Sequence, residues 1–65
     1  MLINLKAEMV RNQKSIADMA QFLGVSYNTF MWKLNGKREF TFSEIEKISK
    51  FFNVSMEYLS VKKLA

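Results

Sequence analysis

SIADMAQFLGVSYNTFMWKL, residues 15–34, is the stretch whose reading decides the fold. Ser15-Ile16-Ala17-Asp18 resembles a capping box with Asp in place of Glu: the Ser15 hydroxyl can accept from an orphan N–H, and Asp18 brings negative charge to the positive helix end. Met19, Ala20 and Leu23 then share one face at helical spacing. Gly24 stops this helix, because a helix C-terminus often needs a residue in the left-handed conformation. Two residues later Ser26 can cap a second helix, from Tyr27 to about Leu34. Asn35-Gly36 ends that helix with a turn signal. Two short helices joined through Gly24-Val25-Ser26 have the layout of a helix-turn-helix. Ala20 is small where the helices would cross closely, Gly24 permits the turn, and Val25 is apolar where the turn tucks inward. A helix–glycine–helix alone is weak, since many bundles contain one; the three features at this spacing carry the assignment.

Outward from this motif the pattern stays helical. Leu2, Leu5 and Met9 form a first stripe, which Val10 would extend, before the polar run Arg11-Asn12-Gln13-Lys14 interrupts it. Lys37-Arg38-Glu39-Phe40 reads as a loop. Thr41-Phe42-Ser43-Glu44 is a full T-x-x-E capping box opening a helix with Ile45, Ile48 and Phe52 inside. Asn53 closes it, and Ser55 caps a last short helix through Met56 and Leu59. There is no Pro, only two Gly, and no strand-like alternation. The expectation is all-α: one compact five-helix domain over 1–65, with the helix-turn-helix at 15–34 and no repeats or linkers.

Sixty-five residues allow one core. With 49% hydrophobic residues, including six Phe and five Met, the chain can fold rather than stay disordered. The absence of Cys removes disulfides, thiolate nucleophiles and Cys-ligated zinc. The absence of His removes the commonest metal ligand and general base. With the serines accounted for as caps, no catalytic triad or metal cluster emerges, so no enzyme, metal, cofactor or small-molecule substrate is expected. Met1-Leu2-Ile3-Asn4-Leu5-Lys6 breaks its apolar run at once, which argues against a signal peptide or membrane span and makes the cytoplasm the simplest setting. Ten basic and six acidic residues give +4, which suggests a polyanionic partner, nucleic acid or an anionic membrane surface. Many ordinary soluble proteins are as basic, so charge alone does not decide.

The run from Ser15 to Phe30, with Asn35-Gly36-Lys37 and Phe52-Asn53-Val54-Ser55-Met56-Glu57-Tyr58-Leu59, resembles the Cro and phage-repressor family of helix-turn-helix proteins. The similarity covers nearly the whole chain in the family's order. It implies a repressor-like regulator in a bacterial host's cytoplasm, at the nucleoid, binding double-stranded operator DNA as a homodimer. On that reading Tyr27, Asn28 and Thr29 open the recognition helix and are candidates for base contacts in the major groove. Ser26, Trp32, Lys33, Lys37 and Arg38 are candidates for phosphate, with Trp32 equally readable as core cover. Phe30 follows the buried phase. Met56, Tyr58 and Leu59, with Val61 or Leu64, are the candidate dimer interface, because family dimers use this region.

The chain also departs from the family. A buried Arg in the first helix is often paired with a Glu ending the recognition helix; the matching positions here are Met9 and Leu34, an apolar replacement that leaves no orphan charge. A Gln that often begins the second helix and grips DNA is replaced by Ile16. Ile16 and Phe22 read either as extra core or as an apolar patch for a partner. An antitoxin, or a helical protein-interaction module that keeps the fold without binding DNA, are the alternatives.

Overall fold

The computed structural model describes residues 1–61 and contains five helices: α1 (Ile3–Arg11), α2 (Ile16–Leu23), α3 (Tyr27–Leu34), α4 (Phe42–Phe52) and α5 (Met56–Leu59). The starts of α2 to α5 each have a local cause. Ser15 and Thr41 close reciprocal capping boxes with Asp18 and Glu44, and the Ser26 and Ser55 hydroxyls accept from the Thr29 and Tyr58 N–H groups.

Three helices end through one device. At Gly24 (φ 73°) the Val25 N–H reaches the Ala20 carbonyl and the Gly24 N–H the Gln21 carbonyl, the paired bonds of a Schellman turn. Val54 N–H reaches back to the Ser49 carbonyl over Asn53 (φ 58°), and Lys14 N–H to the Met9 carbonyl over Gln13 (φ 56°). Asn tolerates the left-handed region better than most residues. Gln13 has no such excuse, and nothing in its local sequence announced it.

α2 packs on α3, while α5 packs on both α1 and α4. The core gathers Leu2, Leu5, Met9, Met19, Ala20, Phe30, Leu34, Ile48 and Leu59, with Ile16, Leu23, Val25, Phe40, Phe52, Val54 and Tyr58 against it. Phe40 leaves the loop to meet Phe30 edge-on, ring centroids 5.6 Å apart. The Leu2 N–H donates to the Leu34 carbonyl at 2.9 Å, tying the start of α1 to the end of α3. Met9 and Leu34 are both buried, so the apolar replacement at these positions lies in the core. Val10 does not extend the first stripe: it is 70% exposed, and the buried phase of α1 runs Leu5, Glu8, Met9.

Glu8 is a buried carboxylate, 3% exposed, that the sequence reading did not single out. Its Oε2 accepts from the Tyr58 hydroxyl at 3.0 Å and from the Arg11 guanidinium at 3.0 Å. That hydrogen bond, helped by burial, raises the Tyr58 hydroxyl above its ordinary value. Asn4 Nδ2 donates to the Tyr58 carbonyl at 2.9 Å. α5 is thus clasped to α1 by polar contacts as well as by apolar ones.

Candidate nucleic-acid interface

The helix-turn-helix leaves the first turn of α3 facing outward while its far side is fully committed inward. Phe30 and Leu34 are buried at i and i+4, which turns Tyr27 and Asn28 away from the core. Tyr27 is 53% exposed and Asn28 is exposed. Among the described residues their side chains make no hydrogen bond, ion pair or ring contact. Thr29 is half-buried, and its Oγ1 lies 2.8 Å from Ser26 Oγ. The Ser26 hydroxyl is engaged twice in the cap, accepting from the Thr29 N–H and meeting the Thr29 hydroxyl.

The cations around α3 divide into two kinds. Lys37 and Arg38 are exposed and form no ion pair among the described residues. Lys33, grouped with them in the sequence reading, points elsewhere. Its Nζ donates to both carboxylate oxygens of Glu44, at 2.7 and 2.9 Å, with both side chains largely shielded from water. Partial burial works to raise the Glu44 carboxyl, but the Lys33 ammonium and the Thr41 N–H outweigh it and hold the group below its ordinary value. An ammonium held this way has no free charge to offer a phosphate without breaking the pair.

Trp32 is half-buried, with the Arg38 guanidinium 5.1 Å from its ring centroid. The apolar positions left open by the sequence also separate. Ile16 packs against the core, whereas Phe22 is 42% exposed and stacks on Phe51 of α4 with centroids 4.5 Å apart. Lys14 sits 5.6 Å from the Phe51 ring.

The expected interface on α5 is altered more. Leu59 is 0% exposed and belongs to the core, so it has no surface to give a partner. Tyr58 is half-buried and spends its hydroxyl on Glu8. Met56 is half-buried and Val61 exposed, while Leu64 lies outside the described residues.

Among the described residues no helix is long and apolar enough to cross a membrane, and no group of three or more acidic side chains is placed to hold a metal ion. The described architecture, a capped and outward-facing helix start beside exposed cations, is that of a helix-turn-helix of the nucleic-acid-binding class. The family model of the Cro/C1-type HTH DNA-binding domain matches residues 4–60, from the first turn of α1 past the end of α5. The chain therefore belongs to this family of DNA-binding domains. No curated protein sequence and no solved structure matched it.

Proposed function

We propose that this domain is a transcriptional repressor of phage or prophage type, Cro-like in action, binding operator DNA in a bacterial cytoplasm as a homodimer that forms on the DNA. One observation carries the reading: on a helix whose other face is buried by Phe30 and Leu34, the exposed side chains of Tyr27 and Asn28 have no partner among the described residues. An exposed Asn in the first turn suits bidentate bonding to adenine, and Thr29 adds a methyl and a hydroxyl. Lys37 and Arg38 supply the sequence-independent attraction to phosphate. Ser26, its hydroxyl committed to the cap, would contribute only through backbone N–H groups at the helix start. Lys33 drops out of the phosphate set and Leu59 out of the dimer set. Repression follows from steric competition with polymerase at an overlapping site.

Selection of bound sites from a random duplex pool tests this. A two-fold symmetric consensus is the expected product. Recovery of unselected sequence would sink the operator-binding reading.

The exposed Phe22–Phe51 stack favours a second reading, a helical interaction module or antitoxin that uses this face for a protein partner. A gel shift on random DNA at two salt concentrations separates them: a module that has lost DNA binding gives no salt-dependent retardation.

A further inference from the structure

An exposed loop arginine ordinarily samples many rotamers before it meets a ligand, and ordering it then costs affinity. In this chain a single residue of α3 holds the backbone of both loop cations. The Trp32 carbonyl accepts from the Lys37 N–H at 2.8 Å and from the Arg38 N–H at 3.4 Å. The Arg38 guanidinium lies over the Trp32 ring at 5.1 Å, within the range of a cation–π contact. Aromatic contact of this kind leaves guanidinium N–H groups available for a bidentate hold on phosphate. Arg38 has no carboxylate partner among the described residues, and Lys33 is already spent on Glu44.

We propose that Trp32 is a positioning residue: its ring and carbonyl preset Arg38 to take a DNA phosphate, and its indole N–H is not itself the contact. This rests on the reading of the chain as a binder of duplex DNA, and changes the role of Trp32 within it.

The test is a double-mutant cycle on a random-sequence duplex, so no operator need be known. The parent, Trp32→Phe, Trp32→Leu, Arg38→Ala and the Trp32→Leu/Arg38→Ala pair are titrated at several salt concentrations, after melts establish that each is folded. Arg38→Ala should reduce the slope of log K against log salt by about one. Trp32→Phe, which keeps a ring face and loses the N–H, should bind within about twofold of the parent. Trp32→Leu should bind about two- to fivefold more weakly, the worth of an exposed cation–π contact. In the Arg38→Ala background the same change should have no further effect.

A loss with Trp32→Phe equal to that with Trp32→Leu would make the indole N–H the contact and overturn the proposal. So would a Trp32→Leu loss that persists without Arg38, which would mark a packing role, or a salt slope untouched by Arg38→Ala. If the parent itself fails to bind duplex, the DNA-binding reading falls, a result distinct from any of these. Trp32 is the sole tryptophan, so its emission provides a check without altering it. Arg38→Ala should change the emission of the free protein, and an unchanged spectrum would show that the contact is not preset.

Discussion

Lys33 and Glu44, eleven positions apart, lock α3 to α4 through a two-pronged ion pair at 2.7 and 2.9 Å. Glu44 also accepts from the Thr41 N–H at its own helix start, so one carboxylate both caps α4 and holds α3. Shielding from water makes this pair worth more than a surface one. Removing one partner of a charged hydrogen bond costs about 1.5–3 kcal/mol, and Lys33→Met, which keeps the aliphatic stem, should lose stability in that range. Its salt slope on DNA should match the parent's. Neutralising Lys37 or Arg38 should do the opposite: stability within about 0.5 kcal/mol, as for exposed substitutions, and a slope shallower by about one per lost contact. Denaturant melts and salt titrations of the three variants decide it; a shallower slope for Lys33→Met would return Lys33 to the phosphate set.

The same carboxylate sets an acid limit. Burial would raise Glu44, but the Lys33 ammonium and Thr41 hold it below its ordinary 4.5. Backbone and side-chain hydrogen bonds from Ser15 likewise hold Asp18 below its ordinary 3.8. In both cases the folded state binds fewer protons than the unfolded chain, so the stabilisation is present above the unfolded values. It is lost as pH falls through the folded ones, which places the decline below about pH 4.5. Glu44→Gln should be less stable at neutral pH and flatten the decline. Unchanged acid steepness in the variant would assign the decline to other carboxylates.

Helix ends offer a test of backbone conformation free of packing. A Cβ added at Gly24 would meet nothing within 4 Å, so the cost of Gly24→Ala lies in φ 73° alone. A left-handed L-residue costs roughly 1–2 kcal/mol, and Gly24→Ala should lose about that much. Gln13 already bears such a cost at φ 56°. Gln13→Gly should therefore gain up to about 1 kcal/mol after the entropy of the freer unfolded chain is deducted. Thermal melts of both variants check the pair, and a destabilised Gln13→Gly would contradict the left-handed turn at that position.

Asn28→Ala should cost about 1–3 kcal/mol on the preferred operator and little on random duplex, because a bidentate base contact is specific to its base. The side chain, exposed and without a partner among the described residues, also implies that the fold is untouched. Comparing the two DNAs by titration separates base reading from backbone contact. Equal weakening on both would demote Asn28 to the latter.

What the sequence made legible was local. Ser15, Gly24, Ser26, Asn35, Thr41, Asn53 and Ser55 act through neighbours three to five residues away, and the helices start and stop beside them. Phe30 was legible for the same reason, being in phase with Leu34. Long-range pairings were not. Lys33 meets Glu44 only after the loop has turned, and Tyr58 meets Glu8 across fifty positions. Tyr58 and Leu59 consequently read as spare apolar surface when Leu59 completes the core and Tyr58 donates to the buried Glu8 carboxylate. Glu8 did leave a trace, falling at i+3 from Leu5 beside Met9 on the buried stripe, but a charged residue there is easily passed over.

The proposed dimer is where this difference changes the experiment. On the proposed reading two copies sit on a palindromic site, with their α3 helices about 34 Å apart. Tyr58→Asp is the wrong probe of the interface, because it would set a second carboxylate against the buried Glu8 and remove that group's phenol donor. It should unfold the domain or weaken it by about 3 kcal/mol or more. Val61, 45% exposed just beyond α5, is the position that can be altered without touching the core. Val61→Asp should melt with the parent, within about 0.5 kcal/mol. On DNA it should bind a half-site as tightly as the parent does, apart from a small, uniform charge effect. The parent's extra affinity for a full two-fold site should shrink in Val61→Asp, since two like charges would face each other across the axis. Half-site and full-site titrations of both proteins measure this directly. A full-site advantage that survives in Val61→Asp would place the contact between copies away from the end of α5.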